Sequence, residues 1–323
     1  MNLHSNNPAL AAIVIAASSA AAQSDPSNFD TVITIPGFAG STISASAPIG
    51  AAGSSLQLNI LPGGSIQPGA STRAGAAVEV NVLGGSVGSN FTANPGSTMN
   101  VVSGNVANGL RLLNSSVHQT GGLVDGVELV SASTFRSSGG GSFVRTTNNA
   151  ERKNIFVEGG NVTFASSLLN NVHIVMTSGR VLGVVDLRAV SSFTASGGAF
   201  PARFAVSGTS VVRLFADRFF VNSVEITDRI ATPEDAMVGL ETSILRRDGS
   251  TLLCHFPDGN TSELTLNDGF SQQVDQFGPG AILSLVRSTG PLSCSPSDLS
   301  APFGVLDVAD VVAFLQTFGA GCP

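Results

Sequence analysis

Between residues 63 and 200 the chain returns eight times to one short pattern: a small residue, a glycine, any residue, then an apolar one. It reads "GGSI", "GGSV", "SGNV", "GGLV", "GGSF", "GGNV", "SGRV" and "GGAF". The second-position glycines are Gly64, Gly85, Gly104, Gly122, Gly141, Gly160, Gly179 and Gly198, at intervals of 21, 19, 18, 19, 19, 19 and 19. A fixed interval of this kind is the mark of a repeat architecture, and it constrains the fold more than any other feature of the chain. Nineteen residues are too few for two packed helices, and Gly, Ser and Asn disfavour helix in any case. The interval suits one coil of a parallel β-solenoid. Glycine supplies the positive φ that turns a corner without a Cβ clash. The apolar residue two places on (Ile66, Val87, Val106, Val124, Phe143, Val162, Val181, Phe200) is expected to point inward and stack on its counterpart in the next coil. Val80, Val82, Val101, Phe135, Phe156, Ile174 and Phe193 are expected to share that core. Eight coils about 4.8 Å apart give a rod of roughly 40 Å. A β-sandwich is the competing model, but sandwiches do not hold one turn phase through eight units.

Composition agrees with an all-β body. Gly is plentiful at 37 residues, charge is sparse at 11%, and Lys153 is the one lysine. Short strands with tight turns use such residues. A net charge of −7 argues against nucleic acid as a partner, because phosphate neutralisation needs clustered Lys and Arg. The apolar run from Ala9 to Ala22 ends in three alanines, the small-residue pattern of a cleavable export signal, although His4 replaces the usual Lys or Arg before it. Residues 1–22 are therefore expected to be a signal peptide and the product to be secreted or held at the cell surface. No later stretch is long and apolar enough for a membrane span. Residues 23–55 are expected to cap the first coil and 56–206 to form the solenoid. After Phe200 the period vanishes. Residues 207–290, with "VVRLFADRFFVNSVEI" and the turn signals Asp248-Gly249 and Pro257-Asp258-Gly259-Asn260, are expected to form a closing β-cap. Its "SILRRDGSTLLCHFPDGNTSELTLN" is expected to give three strands joined by those turns, and "GAILSLVRS" a last one. The ladder followed by this meander resembles the uncharacterised repeat rods of large secreted bacterial proteins.

Many secreted β-helices cleave polysaccharides, so the acids matter. Glycoside hydrolysis needs two carboxylates facing one another across the bond. The repeats carry Glu79, Asp125, Glu128, Glu151, Glu158 and Asp186, and only Glu128 and Asp186 nearly share a column. They stand three coils apart, roughly 14 Å, too far for either hydrolytic geometry. The four histidines, His4, His118, His173 and His255, are scattered. Trp and Tyr, the usual sugar-stacking residues, are absent. These residues favour a non-catalytic structural or adhesive rod. The alternative is an extracellular polysaccharide-active hydrolase or lyase with a site on loops, around Asp186, Arg188, Asp217 and Arg218.

The last segment, residues 291–323, carries two of the three cysteines. Cys294 and Cys322 are expected to pair if the product is exported, closing a loop of 28 residues; such closure is worth roughly 3 kcal/mol. Cys254 is left over, at an expected buried strand position. Between the pair, "DLSAPFGVLDVADVVAFLQTF" resembles a type I dockerin repeat, the calcium loop and helix by which secreted bacterial proteins plug into cohesin modules. The resemblance implies Ca²⁺ bound by Asp298, Ser300, the Val305 carbonyl, Asp307 and Asp310. It also implies a cohesin-like or other scaffold protein as partner. This chain departs from the family in having one repeat, Pro302 at the fifth ligand position and a loop one residue long. The following stripe of Val308, Val311, Val312, Leu315 and Phe318 has helical spacing.

Overall fold

The computed structural model describes residues 23–36, 42–164, 168–200, 203–232, 242–244, 248–267 and 275–288. The fold is a parallel β-solenoid of about nine turns, one more than the eight counted in the sequence. Each full coil contributes rungs to three ladders. In the first, Leu58 stands over Val80, then Met99, Val117, Phe135, Ile155, Ile174, Phe193, Val212 and Leu283. In the second, Ile66 is followed by Val87, Val106 and Val124. In the third, Ala93, Leu112 and Leu129 align, and further on Leu169, Leu187, Val206 and Phe277. All of these side chains are buried, so the three ladders enclose one continuous apolar core. Alternation of inward apolar and outward polar residues along each strand is what a parallel stack with one wet face demands.

The corner between the first and second ladders explains the glycines. The residues with positive φ are Gly63, Gly84, Gly104, Gly122, Gly140, Gly160, Gly179 and Gly198. At Gly63, Gly84 and Gly140 the corner turns one residue earlier than the sequence phase placed it. A Gly-Gly pair offers two equivalent positions, and tertiary stacking chooses between them. The second glycine is still required. A Cβ on Gly64 would lie 2.6 Å from the Ile35 carbonyl oxygen, and one on Gly85 the same distance from that of Gly64.

At the fifth repeat the early corner reverses the faces, whereas after Gly63 and Gly84 one extra residue keeps Ile66 and Val87 inward. With the corner at Gly140, the residue two places on is Ser142, and Ser142 takes the inward slot between Val124 and Val162. Phe143, expected inside, is turned outward with the Arg145 guanidinium 5.7 Å from its ring centroid. Phe156 also faces outward, capped by Arg136 at 4.5 Å, while its neighbour Ile155 fills the core. The buried Ser142 hydroxyl has no hydrogen-bond partner. Desolvating a hydroxyl without compensation costs about 1–3 kcal/mol. Ser142→Ala is therefore expected to raise stability by up to ~1 kcal/mol after its small cavity is allowed for, read as a higher calorimetric midpoint. A lower midpoint would mean that the hydroxyl has a partner.

The parallel ladder runs beyond the expected bounds 56–206 at both ends. Thr31–Ile35 already pairs in parallel with Ser55–Ile60, and Val211–Ala216 continues the first ladder past Phe193. The chain then leaves the coil. Arg218–Val221, Val224–Glu225, Asp248–His255 and Thr261–Asn267 form a four-stranded antiparallel sheet. It returns with Gln276–Phe277 on the third ladder and Ile282–Arg287 on the first, where Leu283 stacks on Val212. The sheet is thus an insertion within the last coil, not a cap that follows it. Thr242–Ser243 lies antiparallel on the outer edge of Ile282–Arg287 and blunts that end. Since Thr242–Ser243 pairs there, Asp248-Gly249 does not join it to Asp248–His255 as a hairpin. It sits instead where the register with Thr261–Asn267 shifts. The second turn signal, through Pro257–Asn260, does close a hairpin.

Polar and aromatic contacts fix the insertion to the coil. The Asp258 carboxylate accepts from the Gly198 amide at 2.5 Å, and the Phe200 amide donates to the Ser262 hydroxyl at 3.1 Å. Asp275, largely buried, accepts from the Phe204 and Thr265 amides, both at 2.7 Å. Burial pushes its carboxyl above the usual range although both amides work the other way. Phe193, Phe200 and Phe204 meet edge-to-face with centroids 4.9 to 5.6 Å apart, and Phe256 of the insertion adds a fourth ring at 5.6 Å from Phe200. Cys254 is a buried strand residue whose thiol is pushed far up by desolvation, so it is inert. Among the described residues no helix is long and apolar enough to cross a membrane.

Candidate functional site

The tail that the sequence singled out, Cys294 and Cys322 with Asp298, Ser300, Val305, Asp307 and Asp310, lies outside the described residues. The residues named for an enzymatic alternative each close on a near partner. Asp186 closes on Arg188 of its own strand at 3.0 Å. Asp217 accepts from the Ser288 hydroxyl at 2.7 Å. Arg218 forms a two-pronged pair with Glu225, at 2.9 and 2.7 Å, and this holds the Glu225 carboxyl at about 2. Glu128 pairs with Arg111 at 3.1 Å and Glu158 with Arg136. Among the described residues no three His, Cys, Asp or Glu side chains approach closely enough to hold a metal ion.

The outward face of the first ladder is where side chains of different coils converge. At its N-terminal end Asn59, Asn81 and Asn100 stack as an amide ladder, linked at 2.9 and 2.8 Å. Glu79 stands beside it and accepts from Ser24, Gln57 and Asn81. Burial favours the neutral acid, yet these donors outweigh it and keep the carboxyl below its ordinary value. Gln23 reaches Asn59 at 3.1 Å, so residues 23 and 24 lie strapped across this patch. The amide ladder had a sequence signal. "LQLNI", "VEVNV" and "TMNVV" place Asn at one phase of successive coils, in the outward half of the alternation.

Toward the other end the face becomes cationic. The columns continue as His118 and Arg136 on one line, and as Asn154, His173, Ser192 and Val211 on the next. Beside the second line a cavity of about 340 Å³ spans three coils, lined by Arg152, Asn171, His173, Val190 and Ser192 among others. His173 Nδ1 and the Ser192 hydroxyl are 2.5 Å apart. Arg152 is exposed and makes no hydrogen bond or ion pair among the described residues, and Val190 is 71% exposed at the rim. Desolvation lowers the basicity of His173, and the guanidinium groups of Arg152 and Arg213 lower it further. The ring is therefore held neutral near pH 7 and is poised to gain a proton if negative charge enters.

Next to this cavity, the single lysine is turned inward. Lys153 is fully buried at the start of Lys153–Phe164, where neighbouring coils carry Ser133 and Val172. Its ammonium donates to the Asn149 side chain and, at 3.0 Å, to the Glu151 carbonyl. Those bonds pin the 147–152 loop, and with it Arg152, over the cavity. Burial pushes the lysine pKa below its ordinary value, against the pull of Glu151. Neither Arg152 nor His173 carried a sequence signal beyond its own identity. The loop before Lys153 has no counterpart in other coils, and only the stacked register sets it against Ser192.

Comparison with protein-family models, with curated proteins and with solved structures finds no match.

Proposed function

We propose that the chain is an exported, non-catalytic rod that displays a polar binding face and is tethered at its C-terminal end. The tether is the dockerin-like segment 291–323, held by Ca²⁺ through Asp298, Ser300, Val305, Asp307 and Asp310 and by a Cys294–Cys322 disulfide. Its partner is a cohesin-like module or another scaffold protein outside the cell. The observation that carries the reading of the rod is the state of its acids. Glu128, Glu158, Asp186 and Glu225 each close on an arginine, and Asp258 and Asp275 each accept backbone amides. Carboxylates spent on such partners serve structure, whereas hydrolysis needs two that face an open groove. Support for export and tethering comes from the apolar stretch before Gln23 and from the wording of the tail.

A chain ended at residue 290 is expected to fold as before and to move from the cell-associated fraction to the medium, a shift of at least tenfold in their ratio. Retention equal to that of the full chain would refute the tether. Release of reducing ends or unsaturated products from any polysaccharide would refute the non-catalytic rod.

A further inference from the structure

We propose that the cavity between the 147–152 loop and the Ala189–Ser191 corner is a binding site for an acidic saccharide, with Arg152 and His173 engaging its carboxylate or sulfate group. The site rests on the reading of the rod as a binding surface and does not depend on the tether.

Four features of the cavity select this ligand class. Its volume, about 340 Å³, lies at the lower end of the range for small-ligand pockets and spans three coils, a length of about 10 Å that one or two sugar rings fill. It holds the Arg152 guanidinium, which has no hydrogen-bond or ion-pair partner among the described residues and whose planar fork is matched to carboxylate and sulfate oxygens. Around that cation stand neutral donors and acceptors, Ser192 and Asn171, which are suited to hydroxyl groups. Val190 offers a small apolar edge at the rim. A protein of net charge −7 that sets Arg152 beside His173 on one face of its rod has built a local attraction for anions against its overall charge.

Two nearby acids are directed to partners other than Arg152. Glu151 turns away, accepting from the Ala132 amide at 3.0 Å, and Glu158 is taken by Arg136. On the strands packed against His173, the outward neighbours are Asn154 and Phe156 on one side and Ser192 and Thr194 on the other, none of them ionisable. Arg152 and Arg213 are the charged groups that act on the ring. With an anion bound, the protonated imidazole gains a partner and its basicity rises. Binding is then coupled to proton uptake and strengthens as pH falls.

Titration of the full chain with an oligogalacturonate, by calorimetry at pH 7 and pH 5, tests this. A sulfated oligosaccharide, a neutral galactose oligomer and inorganic sulfate serve as parallel arms. Tighter binding of an acidic oligosaccharide than of the other two arms is expected, about tenfold stronger at pH 5 for each unit by which His173 is raised. Arg152→Ala should weaken it at least tenfold while leaving the thermal midpoint in place, and His173→Gln should remove the pH dependence while retaining binding. Equal binding of inorganic sulfate, no binding at all, or affinity untouched by Arg152→Ala overturns the proposal. Mass analysis of the recovered saccharide separates this result from the non-catalytic reading. Cleaved saccharide with Arg152-dependent binding keeps the pocket and refutes the inert rod.

Discussion

Gly104→Ala is expected to lower the stability of the solenoid by more than ~3 kcal/mol, at least about twice the cost of Gly75→Ala. Both glycines have positive φ, +88° and +78°, so both substitutions carry the left-handed penalty of about 1–2 kcal/mol. The difference lies in the coil beneath. A Cβ on Gly104 would stand 2.2 Å from the Gly85 carbonyl oxygen and 2.9 Å from the Gly84 carbonyl carbon, whereas around Gly75 nothing lies within 4 Å. Backbone cannot rotate away as a flexible side chain does. The two coils must separate, and with them goes the parallel hydrogen bonding between Ala77–Val87 and Thr98–Val106. Each coil of a solenoid rests only on its neighbours, so the damage is local and amide exchange should accelerate first in those strands. With no Trp or Tyr in the chain, calorimetry and far-ultraviolet dichroism are the readouts to use. Equal losses for the two variants would show that stacking distance does not select glycine at this corner.

Phe193→Ala is expected to cost about 3–5 kcal/mol, and Phe193→Leu under about 1.5. The ring is fully buried, stacks in the first ladder between Ile174 and Val212, and meets Phe200 and Phe204 edge-to-face at 5.4 and 4.9 Å. Truncation leaves a cavity that the core cannot close, because the coils above and below fix the strand spacing. Phe200 in turn supports Phe256, so the loss should spread to the antiparallel insertion. A calorimetric trace that splits, with the insertion melting first, is the expected signature. An unchanged single transition for Phe193→Ala would mean that the aromatic cluster does not join the two parts.

The misplaced aromatics show where sequence reasoning stopped. Phe143 and Phe156 are the two apolar residues assigned inward that face out, and in both places an adjacent residue, Ser142 or Ile155, occupies the inward phase. A strand has period two, so a shift of one residue reverses the face of everything after it. Local sequence offers no way to see that shift in "SSGGGSF", where three consecutive glycines make every corner position equivalent. The insertion was hidden for a related reason. Val212 and Leu283 are stacked neighbours although 71 residues separate them, and nothing near either residue records that pairing.

The chain's own order of residues was enough to establish a coil of about nineteen residues, glycine at its corner and an aliphatic interior, because each of these follows from local backbone freedom and from burial repeated at a fixed interval. Which glycine turns, where the final turn opens to admit four antiparallel strands, and how Arg152 comes to stand beside His173 and Ser192 were decided only by stacking. Parallel pairing joins residues that are a full turn or more apart, and the energy that selects one register over the next exists only once the neighbouring coil is in place.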